Sequence, residues 1–538
     1  MTTRTTTLPA EDRVAPAAAL PHARVALGWL ALAITLSIGV FFFWAFEALP
    51  FMDLPAHAGL IALRHRYAES AAEQASYVLS LHLGPYSLFR GIGEMLVGSI
   101  GPIRTVRVLA TLPLLATPLA LLFARRRLHG DTSPLGGFVG VTLSFGLMTL
   151  LGFANYLLGV AILIVVVTLW LELVLDADRA VASSVASSTT SSAKKEALVA
   201  AGACLLFVAH GHAYVIFLAL AFVVSVATGA RRRRLARLRA LAPSFALAAW
   251  SALLARGVPE GSAPVAWARR GLQFQGGLDK LSLLVTPTLM TRTGIDSTLA
   301  VAMWVVIGLA TFATVRSLRG ATDASSIHAR GLLAAAAACA VAFVALPHGI
   351  EWFGFVDGRF VPLVLMLCFM AIRRPALGAR LERVVDRGAM LAAMIVTTLS
   401  LVAAHRFQAE ARGYDHVLAR VPTGARLLNF PLEPNSDVFA AHPFIHYDKL
   451  ALVERPILVS DLWFHQGTGV FPKAGNPVLG LPDVYKPSDL KTIDWAAYRL
   501  SDWDYVLVRT RPASGPPVTP AVLTLVEHEG GWWLYRRN

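Results

Sequence analysis

The chain has 538 residues, of which 56% are hydrophobic and only 15% are charged. Soluble proteins contain about half apolar and a quarter charged residues, so this composition excludes an ordinary soluble domain and indicates a polytopic α-helical membrane protein. The net charge of +14 comes from basic residues grouped in short runs between apolar segments. That pattern is typical of membrane topology, and we expect no nucleic-acid partner.

Apolar stretches long enough to cross about 30 Å of hydrocarbon recur along the chain. They lie near residues 24–46, 105–124, 134–151, 154–176, 197–212, 213–229, 240–256, 298–316, 330–346, 359–372 and 389–404. The sequence therefore predicts about 11 transmembrane helices within a membrane domain over residues 24–404. Residues 1–23 are polar and rich in Ala, Pro and Thr, which predicts a disordered cytoplasmic tail.

Basic clusters predict the orientation in the membrane. They fall on one side if the N-terminus is cytoplasmic, and they are Arg125–Arg127, Lys194–Lys195, Arg231–Arg234, Arg316 with Arg319, and Arg373–Arg374. An odd number of spans then places the C-terminus outside the cytoplasm, and the opposite face carries larger loops near residues 47–104 and 257–297. We expect a bacterial-type inner (plasma) membrane protein with a cytoplasmic N-terminus and an exoplasmic C-terminus.

The last part of the chain has a different composition from the rest. Over residues 405–538, short apolar runs are separated by Pro, Gly and Asp turn signals, which predicts a small exoplasmic α/β domain. The segment from Leu523 to Tyr535, interrupted at Glu529–Gly531, predicts a terminal hairpin.

Asp53 follows the first apolar run in the segment Pro50–His57. At the exit of a first membrane helix, its carboxylate is placed to meet both a lipid headgroup and a water-borne acceptor. The residue types also fit a structural role, because an Asp ahead of a Pro at a helix start is a good N-cap. The two roles are compatible, and the sequence predicts an amphipathic interfacial helix over Ala56–Tyr67 with Arg64 on it.

His57 lies four residues after Asp53, on the same helix face. The pair is suited to general base catalysis or to ligating a divalent cation. His210 and His212 flank Gly211 at a predicted exoplasmic turn, where they are either interface side chains satisfied by water and backbone or further metal or phosphate ligands. A divalent metal ion is therefore open as a cofactor, although two ligands alone do not make a metal site.

Basic residues on the predicted outer face are candidates for a phosphate site. Arg359 opens an apolar span behind His348, Glu351 and Asp357; it is placed either to snorkel to the headgroups or to hold a lipid phosphate through its planar fork of donors. Basic residues of the 257–297 loop are equally ambiguous, in an aromatic and basic setting suited to a polyprenyl-phosphate headgroup; they are Arg269, Arg270 and Lys280.

This layout resembles the GT-C superfamily of membrane glycosyltransferases, which includes protein O-mannosyltransferases and aminoarabinose transferases. The resemblance implies transfer of a sugar from a polyprenyl-phosphate donor to an exoplasmic acceptor by an inverting displacement. Asp53 matches the first-loop acidic residue that activates the acceptor or binds a metal in that family, and Arg359 corresponds in position to a phosphate-binding basic residue. Met52 and Leu54 flank Asp53 where the commonest pattern has a second acidic residue, which leaves metal dependence and catalytic competence open.

Two other functions are compatible with the sequence. A non-catalytic membrane protein of the same fold would bind lipid or envelope polymer, and a transporter would also be polytopic. Convergence of Asp53, His57, Arg359 and the 257–297 loop on one cavity would favour the enzyme.

Overall fold

The computed structural model describes residues 19–538 except for 81, 183–188, 229–236, 256–258, 264–270, 289–290, 352, 465–466 and 483–492. Most of the predicted tail over residues 1–23 lies outside the described residues, and the first helix already begins at Ala19.

The described residues are mostly helical. The α-helices are α1 (Ala19–Trp44), α2 (Leu54–Arg66), α3 (Ala71–Ser76), α4 (Ser87–Ile100), α5 (Pro102–His129), α6 (Leu135–Ser144), α7 (Leu147–Leu150), α8 (Ala154–Ala182), α9 (Thr189–Ala209), α10 (Gly211–Ala227), α11 (Ala242–Leu254), α12 (Gly277–Ser282), α13 (Ile295–Ser317), α14 (Ala324–Ala345), α15 (Phe360–Ala371), α16 (Ala379–Ala411), α17 (Tyr414–Leu418) and α18 (Lys449–Glu454). The strands are β1 (Tyr77–Leu79), β2 (Leu272–Gln273), β3 (Gly349–Ile350), β4 (Arg426–Pro431), β5 (Leu458–Val459), β6 (Val470–Pro472), β7 (Tyr505–Arg509), β8 (Leu523–Glu529) and β9 (Trp532–Arg537).

Among the described residues, six helices are long and apolar enough to cross a membrane: α1, α5, α8, α13, α14 and α16. These helices identify a membrane-embedded protein. The predicted count of about 11 spans is not confirmed, because several predicted spans form shorter helices. Residues 134–151 divide into α6 and α7 at Gly146, since the N–H of Leu147 donates to the Thr286 carbonyl of a neighbouring loop.

Basic residues at the end of α5 and after α15 meet at one end of the helical bundle, whereas the predicted cluster Arg231–Arg234 lies outside the described residues. Arg125, in the last turns of α5, pairs with Asp131 at 2.9 Å, and Arg374 approaches the same carboxylate at 3.3 Å. Arg127 pairs with Glu172 of α8 at 2.5 Å. These ion pairs bring residues that are far apart in sequence to one face.

A mixed sheet forms the C-terminal region, with strand order β5-β4-β7-β9-β8. Strand β4 is parallel to β5 and β7, and β9 is antiparallel to β7 and β8. The predicted terminal hairpin is therefore present as β8 and β9. Helix α16 continues past residue 404 to Ala411, so one helix runs from the bundle directly into this region.

The C-terminal region shares a hydrophobic core with the first helices. Phe43 of α1, Leu54 of α2 and Phe430 of β4 belong to one buried cluster. Helix α2 is not the predicted amphipathic interfacial helix, because its residues from Leu54 to Leu63 are buried except for the half-buried His57. The reason is that α18 covers the face of α2 that was expected to meet the membrane surface: the Cα of Gly59 lies so close to Lys449 that an added Cβ would meet its Cβ at 3.2 Å.

Candidate functional site

A cavity of about 470 Å³ lies between the start of α2, the N-terminal end of α8, the loop before α15 and the C-terminal region. Its polar lining comes from Asp53, His57, Arg64, Tyr86, Arg90, Glu94, Asn155, His210, Arg359, His446, Asp461 and Thr468. Phe89, Phe153, Phe353, Phe355 and Trp463 supply aromatic walls. The predicted residues Asp53, His57, Arg64 and Arg359 thus converge on one cavity.

Asp53 sits at the N-cap position of α2, but its side chain makes no capping hydrogen bond. Its backbone is held instead by the Leu151 carbonyl, at 3.2 Å from the Asp53 nitrogen. This close approach requires Gly152, which has φ +77° and whose added Cβ would lie 2.9 Å from that nitrogen. The carboxylate therefore remains available to the cavity, and the structural role predicted for it is not found.

The surroundings of Asp53 favour the neutral, protonated form of its carboxyl group. Burial raises the pKa of Asp53 from its usual value to about 7, while the nearby His446 and Arg359 favour the charged form and limit the rise. A carboxyl group with a pKa near the working pH is suited to accept and release a proton. The Oδ1 of Asp53 lies 3.7 Å from the Nε2 of His446.

Arg359 is a buried cation without a carboxylate partner among the described residues. Its side chain is 3% exposed, and its guanidinium lies over the rings of Phe153 and Phe353, with the carbon 4.8 and 4.0 Å from the ring centres. One terminal nitrogen lies 3.2 Å from the Nδ1 of His212, and the Nε is buried with no hydrogen-bond partner. This guanidinium therefore retains an unused donor and has no ion-pair partner within 4 Å among the described residues.

The acidic residue predicted beside Arg359 is bound elsewhere. Asp357 accepts from the Nδ1 of His348 at 2.8 Å and pairs with Lys280 at 3.3 Å. Lys280 also donates to the Val344 and Leu346 carbonyls at the end of α14. Lys280 therefore holds the loop in place and does not line the cavity, and Asp357 does not neutralise Arg359.

The remaining predicted site residues differ in their positions. The His57 ring packs against Phe89 and Trp463, with ring centres 4.8 and 5.0 Å apart. Arg64 donates to Glu94 at 2.8 Å and to the Thr468 carbonyl at 2.7 Å. Both residues line the cavity. Arg269 and Arg270 lie outside the described residues.

His210 and His212 flank the predicted tight turn, between α9 and α10. The Nδ1 of His210 caps α10 by accepting from the Ala213 N–H at 3.4 Å, which is a structural role. His212 lies against Arg359, a cation that would repel a metal ion bound there. Among the described residues, no group of three His, Cys, Asp or Glu side chains is arranged to hold a metal ion.

His446 and Asp461 are cavity residues that the sequence did not predict. The Nδ1 of His446 lies 3.3 Å from the Oδ2 of Asp461, and Lys449 lies 3.4 Å from the same oxygen. Burial opposes ionisation of Asp461, but Lys449 and His446 outweigh it and hold the pKa of this carboxyl below its usual range. Asp461 follows the apolar run of β5, and a carboxylate at the carboxyl end of a parallel strand was the available signal.

Comparison with known proteins gives matches among solved structures only. No protein-family model and no curated protein sequence matches the chain. A cryo-EM structure of the arabinofuranosyltransferase AftD from mycobacteria is similar with a TM-score of 0.47 and 16% identity, over 94% of this chain and 40% of that chain. A mutant of the same enzyme gives a TM-score of 0.48 and 16% identity, over 95% and 41%.

Both matched structures are of a glycosyltransferase, the class of enzyme that the sequence resembles. The chain spans about two fifths of the length of the matched chains.

Proposed function

We propose that this chain is an integral membrane glycosyltransferase that moves a sugar from a polyprenyl-phosphate donor to an exoplasmic acceptor. One observation carries the proposal: a single cavity holds a buried carboxylate that does not cap its helix and a buried guanidinium that has no carboxylate partner among the described residues. Asp53 and Arg359 are close enough for each to shift the pKa of the other.

Asp53 would act as the general base. An acceptor hydroxyl attacks the anomeric carbon of the donor sugar, its proton passes to the Asp53 carboxylate, and a new carbon–oxygen bond forms. The bond between the anomeric carbon and the phosphate oxygen breaks, and its electron pair leaves with the polyprenyl phosphate. Base assistance of this kind contributes about 10²–10⁴-fold to a rate.

Arg359 would bind the phosphate of the donor. A guanidinium presents a planar fork of donors that matches phosphate oxygens, and charge develops on those oxygens as the sugar leaves. The aromatic rings around Arg359 exclude water and so strengthen this attraction. A volume of about 470 Å³ is in the usual range for a pocket that encloses a small ligand.

The position of the cavity favours exoplasmic chemistry. Helix α15 begins beside the cavity, directly after Arg359, and its other end meets Arg125, which donates to the Phe369 and Ile372 carbonyls at 3.0 Å. The basic cluster and the cavity are therefore at opposite ends of the bundle. Since basic clusters favour the cytoplasmic side, the cavity would open on the other side.

The test is sugar transfer by Asp53→Asn. This substitution keeps the shape of the side chain and removes its basicity, and we expect transfer of label from radiolabelled polyprenyl-phosphate sugars to fall by about 10²-fold or more. Binding of undecaprenyl phosphate should persist, because the phosphate ligand is Arg359.

Asp296→Asn is the matched control, because Asp296 is also buried but lies against Thr291, outside the cavity lining. Transfer at the wild-type rate by Asp53→Asn would remove Asp53 as the base. A wild-type protein that binds undecaprenyl phosphate but never turns over any donor would favour the non-catalytic binding protein.

A further inference from the structure

The C-terminal region completes the cavity rather than merely adjoining it. His446 ends a one-turn 3₁₀ helix over Pro443–His446, and Asp461 follows β5. Both side chains line the same cavity as Asp53, although about four hundred residues separate them from it in the sequence.

The imidazole of His446 lies between two carboxylates. Its Nε2 is 3.7 Å from the Oδ1 of Asp53, and its Nδ1 is 3.3 Å from the Oδ2 of Asp461. The Nδ1 of His446 makes no hydrogen bond, so Asp461 stabilises a positive charge on the ring through its own negative charge.

A buried network fixes Asp461 from behind. The ammonium group of Lys449 lies 3.4 Å from Asp461 and 3.0 Å from Asp448, and the amide of Asn429 donates to Asp448 at 3.0 Å. Lys449 and Asp448 are fully buried. Burying so many charges is costly unless each is paired, and here the pairing orients Asp461 toward His446.

We infer that His446 receives from Asp53 the proton taken from the acceptor, with the Asp461 carboxylate balancing the charge of the imidazolium. This inference rests on the proposed function. The proton moves from the Asp53 carboxyl group to Nε2 of His446, the imidazolium is balanced by Asp461, and the proton then leaves to water at the cavity wall. Asp53 returns to the ionised form that the next acceptor needs.

The ionisation of Asp53 can be tested without substrate. The charged groups facing Asp53 are His446, Asp461 and Arg359. In the full-length protein in lipid nanodiscs, the infrared carbonyl band of protonated Asp53 is identified as the band missing from Asp53→Asn, and it is titrated with pH. The wild-type band should be half lost near pH 7.

His446→Gln removes the proton-sharing ring and keeps a polar side chain. We expect the titration midpoint of the Asp53 band to rise by about one pH unit, because without the imidazole the proton stays on the carboxyl group. His328→Gln is the matched control: His328 on α14 is buried to the same 7% exposed fraction as His446 but is not in the cavity lining. The Asp53 band of His328→Gln should have the same titration midpoint as the wild-type band.

A folded His446→Gln protein with an unchanged midpoint would overturn the inference and leave the proposed function standing. Failure of the proposed function is detected separately, by transfer activity in Asp53→Asn. If His446→Gln fails to fold, the milder His446→Asn replaces it in the same titration, and an unchanged midpoint there would equally overturn the inference.

Discussion

Two buried arginines in this protein differ in whether they line the cavity. Arg359 and Arg509 are each 3% exposed, and each lies over aromatic rings. Arg509 lies over Phe444 and Trp532 and donates to the Glu410 carbonyl at 3.4 Å. Arg359 alone of the two lines the cavity, which is why we assign the phosphate to it.

Arg359→Lys should weaken binding of undecaprenyl phosphate nearly as much as Arg359→Ala. Lysine keeps the positive charge, but it loses the planar fork and the stacking on the flanking rings. We expect an affinity loss of about tenfold or more for either variant, measured by binding of the labelled lipid to purified protein, since charge-assisted hydrogen bonds contribute about 1.5–3 kcal/mol each.

Arg509→Lys is the control for loss of a buried, ring-stacked guanidinium. It should lower the thermal unfolding midpoint while leaving lipid affinity unchanged. Wild-type affinity in both Arg359 variants would show that this residue does not bind the phosphate and only anchors the helix at the membrane surface.

Some site residues could be predicted from sequence because they lie next to apolar runs. Asp53 follows the first run and Arg359 precedes a later one, so their positions next to the ends of apolar segments could be predicted. His446 and Asp461 come from a domain whose strands bring them to the cavity only after folding. The sequence made Lys280 a candidate for binding the donor headgroup. Its ammonium group instead donates to the Val344 and Leu346 carbonyls, and such tertiary contacts cannot be predicted from the local sequence.

At the scale of elements, α2 is the helix on which the site depends. It carries Asp53 at its start and His57 and Arg64 along its length. The sequence predicted an interfacial helix, because the segment carries both apolar and basic residues. The structure buries it beneath α18, a contact that sequence periodicity does not encode. The same limit applies to α10 and α15, which are apolar but too short to be counted as spans.

Gly59→Val should loosen the contact between α2 and the C-terminal region. Its side chain would collide with Lys449 and Leu452, whose atoms already lie 3.2 and 3.3 Å from an added Cβ. Overpacking of this kind costs about 1–3 kcal/mol, so the thermal unfolding midpoint should fall and the C-terminal region should become sensitive to protease.

Gly91→Val is the matched control, because Gly91 also lies within a helix, on α4, and an added Cβ there meets nothing within 4 Å. Equal effects of the two substitutions would show that helix propensity alone is responsible. In that case the contact between α2 and α18 would not hold the C-terminal region in place.

At the scale of the whole molecule, the helices connect two chemically different ends. The basic end holds the ion pairs of Arg125 and Arg127, and the other end holds the cavity and the C-terminal sheet. Sequence reasoning identified the basic clusters and the sheet-containing terminus, since both follow from composition. It did not foresee that the terminal region forms one wall of the cavity, because that wall depends on the packing of α18 against α2.

The most direct test of exoplasmic sugar transfer with Asp53 as the base uses sealed right-side-out membrane vesicles. Transfer is measured while only the external pH is varied and the internal pH is clamped. An exoplasmic cavity whose base is Asp53 should be inactive when that carboxyl group is protonated and active when it is ionised. We expect transfer to rise as the external pH passes through about 7 and then to level off. Asp53→Asn should show no such rise. A rate that is independent of external pH, or that follows the internal pH instead, would contradict this expectation.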